Sequence, residues 1–397
     1  MTKSQNKTVT RLARCGAGFQ PAKWHGLPAR VWKTWAGSPC HSNSAGFQPA
    51  GVAKPRLLGF GILSFVIYLG LSGFSLRSEG ILSFGISARS EAAGLPAGCI
   101  IRGVCYSNDA NGLSFYENFD RDLELLKAIH ANSIRTFRPL AAYVEGVDTV
   151  ILDYDKTKSM LDKLAAAGIT VTVGFDSARD IVGGIRDDAT GREYRKAFYL
   201  EYINAFANHP AILAWAFGNE YNYRYADWFG GDKHRWLAIL ADAVKNAKAA
   251  SPRLTAVVHG ELPSARELRE YQAIPGLDLV MLNVYRGPGF GSLYKDWETR
   301  TRTAPMPLVL SEFGRSSMDG RGNDTSALQA AWLEKMWTEI ASNSTAAGGY
   351  IFSLKDESWK GDTDSGPNIG VESRLGLFTA DGQPKPAARL LMKIWNP

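Results

Sequence analysis

The sequence predicts an α/β protein: a (β/α)8 TIM barrel over residues 99–397, preceded by a low-complexity N-terminal segment with one apolar run. Three observations carry this. Eight short apolar runs alternate with segments of helical periodicity, a pattern that calls for a parallel sheet and, at eight units, for closure rather than an open sheet. No GxGxxG follows the first run, so a doubly wound sheet with a dinucleotide site has no support. The composition, 45% hydrophobic and 21% charged over 397 residues, is that of a globular chain with room for one barrel of roughly 250 residues and a tail.

The elements follow in order. Ile100 to Tyr106 reads as the first strand, and Phe119, Leu123, Leu126 and Ile129 mark the first helix. Ser133 to Phe137 is the second strand, closed by Pro139, and residues 158–167 form a helix stopped by Gly168. Strand three runs from Ile169 to Phe175, a helix spans 192–208, and strand four runs from Ile212 to Gly218. Leu237, Leu240, Val244 and Ala247 mark the next helix, followed by strand five, Leu254 to His259. Leu277 to Tyr285 is almost wholly apolar, as a strand buried on both faces should be. A short helix around Trp297 leads to strand seven, Leu308 to Phe313. The helix 326–341 is expected to bury Leu328, Trp332, Met336 and Ile340, with Trp337 beside them. Strand eight is Gly349 to Leu354, and Pro386 to Trp395 is the closing helix.

Residues 1–98 read differently. AGFQPA occurs at 17–22 and 45–50, and GILSF at 61–65 and 80–84, repeats too short for any solenoid unit. Ten of the 45 Lys and Arg residues lie in 1–78, where there is no Asp or Glu; the remainder has 35 basic and 39 acidic residues, a net charge of −4. The basic balance thus belongs to the tail, and the barrel carries no charge block that would point to a nucleic-acid partner. Residues 57–76 are uncharged and long enough to cross a bilayer. Two readings stand side by side. One is a signal anchor or signal peptide, giving membrane association or a secreted or periplasmic location. The other is an upstream stretch translated from a mis-assigned start, although the first methionine after Met1 is Met160. The four cysteines form no CxxC, and the six histidines form no HExxH or HxH. A metal-centred mechanism is therefore not expected, and no cofactor is implied.

Catalytic groups of such barrels lie at the C-terminal ends of the strands. Strand four runs out as Trp215-Ala216-Phe217-Gly218-Asn219-Glu220, and strand seven as Val309-Leu310-Ser311-Glu312-Phe313-Gly314. Strands four and seven face each other across a barrel mouth, so the two glutamates can flank one bound sugar. Cleavage of a glycosidic bond with retention needs this pairing, one carboxyl protonated and the other ionised, about 5–5.5 Å apart. A lone glutamate at a strand end is more often an exposed or salt-bridged residue. Two, each ending an apolar run, make the stronger signal.

WAFGNE and LVLSEFG resemble the acid/base and nucleophile motifs of clan A retaining glycoside hydrolases, and RGVCYS and NSIRTFRP are similar to the family 2 barrel domains and the family 72 glucanosyltransferases. The resemblance covers residues 99–397. It implies Glu220 as general acid/base, Glu312 as nucleophile, and Asn219 as a hydrogen-bonding partner of the sugar 2-hydroxyl. It implies Arg135 as the cation paired with the nucleophile, a role for which Arg138 competes, and such a cation favours the ionised carboxylate. Tyr285 is implied as a contact of the nucleophile and Trp359, in KDESWKG, as an aromatic floor for the sugar, although each could equally be a packed rim aromatic. Tyr221, Asn222, Tyr223 and Trp228 could line the leaving-group side, while His259, Glu261, Asp356 and Glu357 end neighbouring strands without an assigned role. The chain shows neither the amino-terminal sandwiches of family 2 nor the cysteine-rich module of some family 72 proteins. The expected function is hydrolysis of β-glycosidic bonds in oligo- or polysaccharides by double displacement. Transfer to a sugar acceptor on the same residues and non-catalytic carbohydrate binding are the alternatives.

Overall fold

The computed structural model describes residues 7–8, 100–107, 117–145, 149–175 and 199–396. Residues 57–76 lie outside this set, and among the described residues no helix is long and apolar enough to cross a membrane. Eight parallel strands close into a barrel: β1 (Ile101–Cys105), β2 (Ser133–Arg135), β3 (Thr170–Phe175), β4 (Ile212–Asn219), β5 (Leu254–Gly260), β6 (Leu279–Asn283), β7 (Leu308–Phe313) and β8 (Ala346–Ile351). Each strand pairs with its sequence neighbours, and β8 pairs with β1 through Gly348↔Ile101 to Ile351↔Val104, which completes the ring.

Helices follow the strands. They are α1 (Phe119–Ala128), α2 (Tyr154–Ala166), α3 (199–206), α4 (Tyr225–Phe229), α5 (Lys233–Ala250), α6 (Ala265–Gln272), α7 (Leu293–Thr301), α8 (Ser326–Ser342) and α9 (Pro386–Ile394). An antiparallel hairpin, Ala142–Glu145 with Thr149–Leu152, interrupts the β2–α2 connection. The core has two layers. Strand residues such as Trp215, Phe217, Leu310 and Phe313 face outward and pack under the helices, together with Trp236, Trp297 and Trp395. A smaller cluster fills the barrel interior with Ala214, Ala216, Ala256, Met281, Val309 and Tyr350. Filled layers of this kind make the barrel a packed core rather than a pore.

Three expectations need correction. Helix α2 begins at Tyr154, not 158, because the Asp153 carboxylate accepts the Lys156 N–H at 2.9 Å and caps the first turn. Strand β8 spans Ala346–Ile351 rather than Gly349 to Leu354, so Gly348 lies inside the strand. Gly348 has φ +119°, and a Cβ there would run into the Ile101 backbone, so the β8–β1 seam closes only over a glycine. On α8, Leu328 is 42% exposed while Gln329 is fully buried. The Gln329 amide donates to the Arg315 and Gly376 carbonyls at 2.9 and 3.1 Å, which turns the inner face toward Gln329, Leu333, Met336 and Ile340. Trp332 then lies at the edge, 4.2 Å beneath the Arg315 guanidinium.

Candidate active site

Glu220 follows β4 through a local break in the strand. Gly218 has φ +74° with the Trp236 ring packed where a Cβ would lie, and the β4–β5 register shifts between Phe217 and Asn219. Glu220 itself is left-handed at φ 57°, ψ 32°. A left-handed non-glycine residue costs of order 1–3 kcal/mol and persists where its surroundings fix it. Here its N–H donates to Val258 O at 3.1 Å, and its carboxylate accepts from the Asn283 amide at 2.9 Å. On β7 the alternation also breaks. Val309 faces the interior and Leu310 the helices, yet Phe313 faces the helices again. The register shifts between Leu310 and Glu312 and between Leu310 and Phe313 leave Ser311 and Glu312 together on the inner side.

Five of the six site residues singled out from sequence join one hydrogen-bonded network. Arg135, buried at the end of β2, donates from one terminal nitrogen to Glu312 Oε1 at 2.8 Å and to Ser311 O at 3.1 Å, and from the other to Asn219 Oδ1 at 2.9 Å. Tyr285 lies two residues past β6, and its hydroxyl donates to Glu312 Oε2 at 3.0 Å. Both oxygens of Glu312 are therefore engaged. Asn283, which sequence reasoning missed, ties the two halves. Its amide nitrogen donates to Asn219 Oδ1 at 3.1 Å and to Glu220 Oε1, while its oxygen accepts from Ser311 Oγ at 2.7 Å. Arg135 can only donate, so the Asn219 atom it meets is the oxygen, and that oxygen fixes the amide nitrogen of Asn283 toward it. The sequence signal for Asn283 was a polar residue near the end of the apolar run of strand six, which has Asp278 near its start.

Arg138, the alternative to Arg135, is not part of this network, and its Nη1 is buried without a hydrogen bond. Trp359 lies outside it as well. It sits on a short 3-10 turn, 45% exposed, with the Lys360 ammonium 5.3 Å from its ring centroid. Phe352 at the end of β8 is the buried aromatic here, edge-on to Phe137 at 5.9 Å.

The remaining rim residues divide. Tyr221 is core, packed on Trp236 at 4.6 Å and Trp228 at 4.8 Å. Asn222 pairs with the Gly260 backbone in both directions at 2.8 and 3.0 Å. Tyr223 is 49% exposed, and its ring covers Gly260. The His259 ring lies 2.8 Å from Glu261 O, and Asp356 pairs with Lys385 at 2.5 Å. Those contacts are structural. Glu357, 3% exposed, lies at the mouth, where it accepts from the Ser107 hydroxyl.

Electrostatics separates the two central carboxyls. Burial, and next the charge of Glu312, push Glu220 up to about 7, against the opposing pull of Asn283 and Arg135. Burial and then the Glu312 charge also push the Tyr285 phenol well above its usual value, so it stays a donor to Glu312. Arg135 and Glu312 are 1% and 9% exposed at the side chain. Removing one partner of such a buried pair strands the other charge, at a cost of about 3–5 kcal/mol. Arg135→Ala is therefore expected to lower unfolding stability by about that amount at neutral pH, read from the urea midpoint. Arg135→Lys should retain part of the stability but not the bridge to Asn219, because an ammonium lacks the planar fork. Among the described residues no group of His, Cys, Asp or Glu could hold a metal ion.

The family model described as glycosyl hydrolases family 2, TIM barrel domain, matches residues 100–397. A curated β-glucuronidase of Paenibacillus borealis is 24% identical over 293 residues, which is 70% of this chain and 45% of that protein. Among solved structures, a Bacteroides uniformis β-glucuronidase superposes with TM-score 0.55 at 21% identity, covering 75% of this chain and 35% of that one. A family 2 β-galacturonidase of Eisenbergiella tayi gives TM-score 0.53 at 17% identity, covering 75% and 50%. At these identities the structural likeness carries the fold, and the chain spans less than half the length of the curated relative it matches. The resemblance to family 72 is not supported. With eight closed strands and a match across all of them, this chain belongs to glycosyl hydrolase family 2 through its TIM barrel domain.

Proposed function

We propose that the protein is a retaining β-glycosidase that works by double displacement, with Glu312 as nucleophile and Glu220 as general acid and then general base. The observation that carries the reading is the contrast between the surroundings of the two carboxyls. Glu220, raised to about 7 by burial and by its neighbour, can carry a proton at neutral pH. Glu312 receives donors from Arg135 and Tyr285 on both oxygens. In the first step Glu312 attacks the anomeric carbon, the glycosidic bond breaks, and the proton of Glu220 goes to the leaving oxygen. In the second, Glu220, now ionised, takes a proton from water. The resulting hydroxide adds to the anomeric carbon and Glu312 departs as carboxylate.

The other residues serve these steps. Asn219 uses its amide oxygen on Arg135 and Asn283, which leaves its N–H groups for a sugar hydroxyl. Asn283 holds Glu220 in place from below. Among the described residues Tyr223 and Trp359 are the exposed aromatics of the rim, suited to stack on apolar sugar faces. A sugar hydroxyl held there in place of water would turn hydrolysis into transfer on the same machinery. Residues 1–98 we read as lying outside the catalytic domain.

Trapping tests the assignment. 2-Deoxy-2-fluoro β-glycosyl fluorides of gluco, galacto and manno configuration slow the second step more than the first, so an ester should accumulate. After incubation and digestion, mass spectrometry should find the added glycosyl mass on the peptide containing Glu312. Label on a Glu220 peptide, or none from any of the three, would count against the reading.

A further inference from the structure

Two glutamates leave adjacent strands in the left-handed conformation, Glu220 after β4 at φ 57° and Glu261 after β5 at φ 67°. Backbone of this kind persists where its surroundings over-determine it, and it gathers at binding sites. The Glu261 N–H donates to Asn283 O at 2.8 Å, and the amide nitrogen of the same Asn283 donates to Glu220 Oε1 at 2.9 Å. One residue therefore links Glu261 to the proposed acid/base. The loop after β4 reaches the same place. The Tyr223 N–H donates to Glu220 O at 3.0 Å, and the Tyr223 ring covers Gly260. Burial first, then the charges of Glu220 and Glu261, push the Tyr223 phenol up to about 12.

The Glu261 side chain is fixed and yet open to solvent. Its Oε1 accepts from the Leu262 N–H at 2.8 Å and from Arg286 Nη2, and its Oε2 accepts from Arg286 Nε at 3.0 Å. Arg286, which follows the Tyr285 that meets Glu312, also donates from Nη1 to Phe290 O at 3.0 Å. The Glu261 and Arg286 side chains remain 39% and 28% exposed. These bonds use three of the five guanidinium N–H groups and three of about four carboxylate acceptor positions. The pair thus holds donors and an acceptor in one fixed place, which suits a sugar hydroxyl, itself both donor and acceptor. Beside Gly260 the half-exposed Tyr223 offers a ring face. Glu220 protonates the leaving oxygen, so the group that departs lies beside it, where these loops meet.

On the glycosidase reading, we propose that Tyr223, Glu261 and Arg286 form the leaving-group subsite and that it takes a sugar, its ring stacked on Tyr223 and its hydroxyls bonded to the Glu261–Arg286 pair. The same subsite receives a sugar acceptor in the second step. The acceptor hydroxyl gives its proton to Glu220, its oxygen bonds the anomeric carbon, and the ester bond to Glu312 breaks to free the carboxylate.

The test uses the 397-residue chain as its 2-fluoro glycosyl ester, freed of excess reagent. Return of activity is followed in buffer, with methanol, and with the methyl β-glycosides of glucose, galactose, mannose and xylose. Methanol accepts the glycosyl group without a ring to bind. At least one sugar should return activity about tenfold faster than methanol at equal concentration, with a methyl disaccharide as product by mass spectrometry. Glu261→Gln and Tyr223→Ala should each lower that sugar-to-methanol ratio about fivefold, the loss expected for a hydrogen bond to a charged group or a stacked ring. A general disturbance of Glu220 or of the fold slows both acceptors alike and leaves the ratio where it was. Tyr223→Ala, at a half-exposed ring, keeps the test open if Glu261→Gln does not fold. If the ester forms and no sugar outruns methanol, or the ratio holds in the folded variants, the subsite is overturned and the glycosidase reading stands. If no ester forms, the glycosidase reading fails and the subsite with it.

Discussion

Glu312→Ala is expected to lower kcat/KM by roughly 10⁴-fold or more on every substrate the protein cleaves, because in the proposed mechanism Glu312 forms the glycosyl ester. The substitution also leaves Arg135 buried without its carboxylate. Part of the loss would then be misplacement of Asn219, which shares that guanidinium. Azide separates the two effects. In the cavity left by the side chain, azide attacks an activated β-glycoside from the face Glu312 occupied and yields an α-glycosyl azide. Recovery of rate with that product assigns the nucleophile chemically. Wild-type activity in Glu312→Ala would remove the residue from the mechanism.

Glu220→Gln should cost about 10²–10⁴-fold on substrates with poor leaving groups and much less on 4-nitrophenyl glycosides, whose leaving oxygen needs no proton. It should also change the pH profile in a definite direction. The acid is competent when protonated, and Glu220 is raised to about 7, so kcat/KM of the wild type should be high below that value and fall as pH rises through it. The variant should lose this alkaline limb. If the limb persists in Glu220→Gln, the titrating acid is another group. Azide applied to Glu220→Ala should give a β-glycosyl azide, the opposite anomer to that from the Glu312 variant.

Much of this arrangement was legible in the sequence because barrels impose a strong pattern. A strand covered on both faces must be apolar along its length, so a glutamate that ends two such runs stands out. The family resemblance, laid on those strands, singled out Arg135 and Tyr285. It could not choose between Arg135 and Arg138, since that depends on which side of a three-residue strand faces the mouth. Contacts that depend on broken alternation were harder to see. The β7 register shift turns Ser311 and Glu312 to the same side, and strict period-two reading would have sent one of them outward. Strand eight was read to begin at Gly349, whereas it begins at Ala346 and the close approach of β1 requires a glycine at 348 inside it. Glu357 and Lys360 were visible in KDESWKG, but their pairing over Phe352 is a three-dimensional fact.

The central claim is that two carboxyls act in succession on one anomeric carbon, each with inversion. The stereochemistry of the first product tests it most directly. Proton NMR of a β-glycoside digest, recorded before mutarotation, should show the β-anomer of the released sugar appearing first, with the α-anomer growing only as the solution equilibrates. First appearance of the α-anomer would mean single displacement by water, and would contradict the role assigned to Glu312.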